Sequence, residues 1–278
     1  MIGFIGSVFS PWYAWSGRRD PANHCCLNVV TYGPGGRFTM TDRGRSALRQ
    51  SRDSLQIGPS RMLWHNGTLV IDVDEVSSLP RISRVRGQIR LTPTAVTEVE
   101  ALLTPSATHI WRPFAPSARI EVDLTQGHSW SGHGYFDANF GSAALEDDFK
   151  RWTWGRYPRG HGGTTVFYDG TRSDGTTLAL GLDISATGAV TPAPPPPLAC
   201  LPRTGWLLPR DTRCDAGETP RQIMPLLDAP FYSRSVVQTH LGGETVQGVH
   251  EALDLTRFRN PALKPMLALR VPRRAKWP

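Results

Sequence analysis

Short segments in which polar and apolar residues alternate recur along the chain, and this period-two pattern constrains the fold most. The alternation is clear in residues 86–91 and 119–124. Residues 61–64 and 68–73 flank His65-Asn66-Gly67, and Asn-Gly is a strong signal for a tight hairpin turn. Helix-like spacing of apolar residues is rare. The pattern therefore predicts an all-β protein of antiparallel barrels or sandwiches.

The chain length of 278 residues suits one large domain or two of ordinary size. Prolines and glycines interrupt the strand pattern between residues 113 and 134. We therefore predict two β domains, residues 1–126 and 127–278. The proline-rich run at 192–197 is interpreted as a loop between strands, because strand patterning continues on both sides of it.

The few segments outside this pattern are short. The opening MIGFIGSVFSPWYAW is predicted to form one or two buried strands with a turn at Ser10-Pro11, and it is too short to span a bilayer. Asp42 is a candidate cap for a short helix through residues 46–48. Residues 145–152 are ambiguous between helix and strand.

Composition limits the chemistry. Four cysteines without CxxC spacing favour a reducing compartment over a disulfide framework or a zinc site. No P-loop, GxGxxG fingerprint or nucleophile elbow is present, so phosphoryl and hydride transfer have no support. The formal net charge of +7 suits an anionic membrane surface, and no nucleic-acid-binding motif accompanies it.

The stretch GHSWSGHGYFDANFG, residues 127–141, is the most unusual part of the chain. His128, His133 and Asp137 lack the spacing of a helical zinc site, so a metal site has little support. Aromatic residues surround Asp137, and burial among them would disfavour its charged form and leave an acid able to donate a proton. The alternative is a turn aspartate bonded to backbone, which the local sequence alone favours.

His109 and Trp111 form a second candidate pair. They lie two residues apart, so both point to one face if the segment is extended. The alternative is an ordinary polar–aromatic pair at the end of a strand, which the local sequence alone favours.

Several long segments of the sequence resemble the carotenoid 1,2-hydratase (hydroxyneurosporene synthase) family. These segments cover nearly the whole chain: FIGSVFSPWYAWSGRRDPANHCCLNVVTYGPGGRFTMTDRGR, RIEVDLTQGHSWSGHGYFDANFG, LEDDFKRWTWGRY, DAPFYSRS and VHEALDLTRF. Members usually carry residues before the first segment. The resemblance therefore implies that an early strand of the first domain is missing here.

The resemblance implies a two-domain, lipocalin-like architecture and hydration of the terminal carbon–carbon double bond of acyclic carotenoids, such as neurosporene or lycopene, without a cofactor or metal. The family's HxW and YxD pairs fall on His109, Trp111, Tyr135 and Asp137. Asp137 would be the acid, the Trp111 and Tyr135 rings would stabilise a cation, and His109 would orient the water.

We expect Trp130, Phe136 and Trp154 to bind the substrate. A membrane-borne polyene further implies peripheral attachment to the cytoplasmic side of the photosynthetic membrane, with Trp12 and Tyr13 as exposed anchoring rings. Two alternatives use the same fold: a non-catalytic carotenoid or lipid carrier, and a pericyclase. The carrier needs no acid, and neither adds solvent oxygen to a product.

Overall fold

The computed structural model describes residues 1–125 and 127–274, and its all-β architecture confirms the predicted fold class. Within these residues there are 22 strands and four short α-helices. The strands are β1 (Ile2–Ile5), β2 (Cys25–Val30), β3 (Phe38–Thr39), β4 (Asp42–Arg43), β5 (Leu48–Gln50), β6 (Ser54–Ile57), β7 (Ser60–His65), β8 (Thr68–Val76), β9 (Arg84–Ala95), β10 (Ala101–Leu102), β11 (His109–Leu124), β12 (His128–Gly141), β13 (Phe149–Pro158), β14 (Thr164–Arg172), β15 (Thr177–Ile184), β16 (Val190–Pro192), β17 (Leu198–Leu201), β18 (Arg210–Arg213), β19 (Arg221–Asp228), β20 (Tyr232–Leu241), β21 (Glu244–Asp254) and β22 (Arg273–Arg274). The helices are α1 (Pro11–Trp15), α2 (Leu145–Asp148), α3 (Leu255–Phe258) and α4 (Leu263–Arg270).

The chain divides into two compact units, each built from more than one segment. The first unit comprises Met1–Pro93, Ala118–Gly134 and Pro261–Pro278, and the second comprises Thr94–Ser117 and Tyr135–Asn260. The predicted boundary after residue 126 falls on Gln126, which lies outside the described residues, so that boundary stays a prediction.

The first unit contains an antiparallel meander from β5 to β9 and a smaller sheet that includes β1, β2 and β4. The predicted hairpin is confirmed, because β7 and β8 pair around Asn66 and Gly67. Both turn residues have positive φ, 48° and 72°, as a type I′ turn requires. In β8, buried residues alternate with partly exposed ones, so one face of the strand enters the core.

The second unit contains a seven-stranded antiparallel sheet in the order β16-β15-β14-β13-β21-β20-β19. Directly paired residues of neighbouring strands project to the same face of a sheet. Trp154 pairs with Tyr168 of β14 and with Glu251 of β21, and Glu251 pairs with Arg234 of β20. These four side chains therefore form one row across the sheet, which we call the central row. The opposite face carries a buried cluster that includes Tyr157 and Phe167.

Two local predictions need correction. Pro11–Trp15 is a helix rather than a strand, because Ser10 caps its first turn and proline fits the first helical position. Asp42 caps no helix; it lies buried in β4, and a 3₁₀ turn follows at Arg45–Ala47. Residues 145–152, which the sequence left open between helix and strand, divide into α2 and the start of β13. The proline-rich run joins β16 to β17, as predicted.

Candidate active site

The candidate site begins where β11 and β12 pair in the second unit. Successive side chains of a strand point to opposite faces, so Tyr135 and Asp137 share one face of β12. Phe136 points to the other face, where its ring packs edge-on against Phe114 at a centroid distance of 5.7 Å. Because Asp137 lies inside a 14-residue strand, the turn-aspartate interpretation is wrong. The glycines around it belong to the strand as well.

Trp111 and Asp137 form the central contact of the site. The indole N–H of Trp111 donates a hydrogen bond of 2.8 Å to Oδ2 of Asp137, and the Trp111 side chain is only 1% exposed. Burial raises the pKa of Asp137, and the bond from Trp111 opposes this rise. The carboxyl group is therefore held in a setting that favours its neutral, proton-carrying form.

Four further aromatic rings pack around this contact. Tyr135 packs on Trp154 with ring centroids 5.3 Å apart, and Tyr168 packs on Trp111 at 5.7 Å and on Trp152 at 5.5 Å. The Tyr135 hydroxyl interacts with the Asp137 carboxyl group, and the indole N–H groups of Trp152 and Trp154 are buried without a hydrogen-bond partner among residues 1–125 and 127–274. The surroundings are thus predominantly apolar, and their ring faces can stabilise a cation.

Charged groups complete the surroundings of the rings. The Arg156 guanidinium lies 5.2 Å from the Tyr135 ring centroid and donates two hydrogen bonds to the Pro116 carbonyl, at 2.9 and 2.7 Å. Burial lowers the pKa of Arg156. At the end of the central row, Arg234 and Glu251 form a close ion pair.

His109 lies on the same face of β11 as Trp111, about 7 Å along the strand. It is buried, and its Nε2 atom lies 3.0 Å from Oδ2 of Asp148. Thr108 donates a hydrogen bond of 2.6 Å to the same oxygen. Burial lowers the pKa of His109, while the neighbouring Asp148 carboxylate raises it. The histidine is therefore oriented by a carboxylate, as a positioned base requires.

The structure brings together four of the predicted site residues: Trp111, Tyr135, Asp137 and Trp154. Trp130 lies in the first unit and is 52% exposed, and Phe136 points away from Asp137. The substrate-binding roles of these two residues stay predictions. The described part of the chain contains no cluster of three or more His, Cys, Asp or Glu side chains arranged to hold a metal ion.

Sequence reasoning missed four residues that the fold places around the predicted ones: Asp148, Tyr168, Arg234 and Glu251. Trp152 was among the aromatic residues expected near Asp137, and it shares a strand face with Trp154. Tyr168, Arg234 and Glu251 meet the site only through strand pairing, and Asp148 meets it from α2.

The fold and the site together define a β-sheet protein with a protonatable acid among aromatic, largely apolar side chains. The chain matches the family model described as carotenoid hydratase CrtC over residues 1–278, and it belongs to that family.

Individual relatives agree with this assignment. The chain is 64% identical to the acyclic carotenoid 1,2-hydratase of Cereibacter sphaeroides over 277 residues, covering 100% of this chain and 99% of the relative. It is 62% identical over 278 residues to the protein of the same name from Rhodobacter capsulatus, with 100% and 99% coverage. Among solved structures, a putative AttH from Nitrosomonas europaea has a TM-score of 0.57 at 12% identity, covering 83% of this chain and 81% of that one, which supports the fold alone.

Proposed function

We propose that the protein adds water across the C1–C2 double bond of an acyclic carotenoid, giving a 1-hydroxy-1,2-dihydro product. Family membership and the names of its relatives support the substrate class. The observation that carries the chemistry is the Asp137 carboxyl group, which accepts a hydrogen bond from the Trp111 N–H and lies beside packed aromatic rings. A hydrocarbon substrate offers no polar group to grip, so an apolar enclosure with one acid suits it.

Protonation is the difficult step of this reaction. The neutral Asp137 carboxyl transfers its proton to C2, the π electrons form the new C–H bond, and a tertiary cation is left at C1. The raised pKa of Asp137 lets its carboxyl group keep the proton to higher pH than an exposed aspartate would. The Trp111 N–H then stabilises the carboxylate that forms, because hydrogen bonds to the charged form favour it.

The cation at C1 needs stabilisation while little water is present. The faces of Trp111, Tyr135, Trp154 and Tyr168 supply negative potential without supplying a nucleophile. Their packing against one another, at 5.3–5.7 Å, holds the rings in place before the charge develops.

A single water completes the reaction at C1. Its oxygen forms the C–O bond and loses one proton to His109, which Asp148 orients. The proton must pass from His109 to the Asp137 carboxylate before the next turnover. This balance consumes one water and one alkene and needs no redox partner, so we propose a cofactor-independent hydratase.

The test is hydration of lycopene in ¹⁸O-labelled water by the wild type and by Asp137→Asn. We expect one ¹⁸O atom in the product, and loss of turnover by about 10²–10⁴-fold in the variant, the usual contribution of a general acid. Trp111→Phe should be less severe and His109→Ala intermediate. Bound but unchanged carotenoid would indicate a carrier, and an isomer without ¹⁸O would indicate a pericyclase. Normal turnover of a folded Asp137→Asn variant would remove the acid role.

We also propose that the protein works at a membrane, because its substrate dissolves there. In the described residues no helix is long and apolar enough to cross a bilayer. Trp12 and Tyr13, expected as exposed anchors, are half-buried instead: Trp12 donates a hydrogen bond to the Val271 carbonyl at 2.7 Å, and Tyr13 packs on His24. The exposed ring of α1 is Trp15.

Trp15 belongs to an exposed apolar surface of the first unit, which we call the α1–α4 face. Trp15 is 53% exposed, Leu79 50%, Ile82 67% and Leu269 64%. Contacts connect their segments: the Trp15 ring packs edge-on against Trp12, which bonds to the end of α4, and Arg270 of α4 bonds to the Leu79 carbonyl. Exposed apolar groups that lie together in this way are typical of interaction sites.

The charge of this face suits anionic lipid. Residues 11–19, 77–83 and 261–274 contain no Asp or Glu and seven basic residues: Arg18, Arg19, Arg81, Lys264, Arg270, Arg273 and Arg274. Of these, Lys264 is buried and Arg273 pairs with Asp42, so the other five supply the charge of the face. The net charge of the whole chain is +7, so the remainder of the chain has none. We propose that the α1–α4 face rests on the anionic cytoplasmic surface of the photosynthetic membrane, with its apolar side chains inserted shallowly.

A further inference from the structure

The Glu251–Arg234 ion pair is the charged part of the central row, and the hydration chemistry above does not use it. Glu251 of β21 lies directly opposite Trp154 of β13 on one side and Arg234 of β20 on the other. Both charged side chains are mostly buried, with exposures of 13% and 23%. They are thus fixed on the same face of the sheet as the rings around Asp137.

The rings connect this pair to the acid. Trp154 packs on Tyr135, which is two residues from Asp137 on the same face of β12. Tyr168, on the other side of Trp154, packs on Trp111, the hydrogen-bond donor to Asp137. Aromatic side chains rather than water lie between the ion pair and Asp137. The charges of the pair therefore act on Asp137 with little screening by solvent.

The charges of the pair act on Asp137 in opposite directions. The Glu251 carboxylate raises the pKa of Asp137, and the Arg234 guanidinium lowers it, while burial has the largest effect. The titratable or charged groups that face Asp137 from the packed strands, beyond His109 with its partner Asp148, are Tyr135, Arg156, Tyr168, Arg234 and Glu251. Of these, Glu251 is the one carboxylate that the sheet holds beside the rings.

We propose that Glu251 and Arg234 are positioning residues for the proton of the acid: the Glu251 carboxylate favours the neutral form of Asp137, and Arg234 limits that effect. An unpaired Glu251 would hold the proton too firmly for transfer to an alkene. An unpaired Arg234 would favour the carboxylate and leave no acid. The pair therefore sets how readily the proton leaves, and this inference rests on the proposed role of Asp137.

The Trp111 indole N–H provides a direct reporter of this effect, because it is bonded to the titrating carboxyl. The experiment is a pH titration of the ¹⁵N-labelled Trp111 indole resonance, assigned with Trp111→Phe, in the wild type, Glu251→Gln, Arg234→Gln and the double variant. We expect the midpoint to fall by about one pH unit in Glu251→Gln and to rise in Arg234→Gln, as for charges close to a buried acid. The double variant, which keeps the local charge neutral, should return near the wild-type midpoint.

Glu244→Gln is the matched control. Glu244 lies on the same strand, also pairs with an arginine (Arg159, at 2.9 Å), and is seven residues from Glu251, about 24 Å along an extended strand. Its removal should leave the Trp111 midpoint unchanged. Equal midpoints in all variants, or shifts of the same sign in Glu251→Gln and Arg234→Gln, would overturn the inference.

The measurement needs no turnover, so it is separate from the proposed function. Full hydratase activity in Asp137→Asn would refute the acid role even if the midpoints moved as expected. With the acid role intact, the alkaline limb of the pH–turnover profile should move in the same direction as the indole midpoint in each variant. An alkaline limb that stays in place while the midpoint moves would contradict the inference.

Discussion

The Nε2 atom of His109 lies 3.0 Å from Oδ2 of Asp148, whereas Trp111, two residues further along β11, bonds to Asp137. One strand face thus presents a histidine and an indole to two different carboxyl groups. Asp148 is one-quarter exposed and also accepts a hydrogen bond from Thr108, while the half-buried Asp137 lies beside aromatic rings and accepts a hydrogen bond from the Trp111 indole. The two settings favour different tasks, a charged orienting group at Asp148 and a proton carrier at Asp137.

Asp148→Asn should weaken the proposed base without removing it. The pKa of His109 should fall further below its ordinary value, because the interaction that raises it is lost while burial remains. We expect kcat to fall by at least about tenfold with KM unchanged, since general acid–base groups contribute about 10²–10⁴-fold. Asp147→Asn, at the exposed neighbouring position, is the control and should behave as the wild type. An unchanged kcat in Asp148→Asn would argue against a proton-accepting role for His109.

Asp137 should make the protein less stable as the pH rises from about 4. Its folded-state pKa is raised, so over this range the folded state holds a proton that the unfolded state releases, and the free energy of unfolding falls until the folded carboxyl itself ionises. Asp137→Asn lacks this dependence. Thermal unfolding at several pH values should therefore show Tm of the variant gaining on the wild type as the pH rises, and a constant difference would be evidence against a raised pKa.

The rings around Asp137 should contribute to turnover through the negative potential of their faces, which stabilises a cation. Tyr168→Leu should lower turnover by roughly 10- to 30-fold, the rate equivalent of about 1.4–2 kcal/mol for a desolvated cation–π contact. Tyr168→Phe keeps the face and should stay within about threefold of the wild type, because a phenyl face is only slightly weaker. Equal losses in both variants would assign the effect to the hydroxyl.

Phe136 allows a comparison on the opposite face of β12. Phe136→Leu should lower Tm, because it disturbs the packing with Phe114, and leave turnover nearly unchanged. A large rise in KM in this variant would instead support the substrate-binding role that the sequence predicts.

The α1–α4 face should govern binding to lipid. In vesicle flotation, the wild type should bind vesicles containing anionic lipid, and binding should weaken as salt is raised, because the attraction is partly electrostatic. Trp15→Ser and Leu269→Ser should reduce binding, while Trp206→Ser, which alters a tryptophan of similar exposure (52%) in the second unit, should not. Equal flotation with neutral vesicles at all salt concentrations would contradict the charge argument.

His250 should limit stability in acid. Burial lowers its pKa to about 4, its Nε2 donates to the Asp211 carbonyl at 2.8 Å, and its Nδ1 atom is buried without a partner among the described residues. Below the ordinary histidine pKa of about 6.5, His250 binds a proton in the unfolded state but not in the folded state. The free energy of unfolding should therefore fall by roughly a few kcal/mol as the pH is lowered from 6.5 to 4. His250→Gln should flatten this fall, and His161→Gln, at an exposed position, should not.

The sequence predicts features whose chemistry is local. The Asn66-Gly67 turn follows from two adjacent residues that accept positive φ, and the shared face of Tyr135 and Asp137 follows from strand geometry. The glycines around Asp137 were misleading. Gly134 interrupts the strand pattern in the sequence, yet it lies within β12, where an added Cβ would be only 3.0 Å from the Cβ of Ile120.

Residues that meet the site through distant pairing were beyond local reasoning. Glu251 reaches Trp154 only through the register of β13 with β21, nearly a hundred residues apart in the chain. Asp148 reaches His109 from the short helix α2, which has no strong sequence pattern. Trp12 looked like an exposed anchor because its partner, the Val271 carbonyl, lies 259 residues away.

The site forms only when the strands that carry the central row pair in the correct register. If β13 slipped by one residue against β21, Thr153 and Gly155 would take the places of Trp152 and Trp154, and both indoles would turn to the opposite face. Glu251 would then lie beside a residue without a ring. A misaligned sheet would keep much of its backbone pairing yet have no enclosure for the acid, so activity reports on correct strand alignment more sharply than secondary-structure content does.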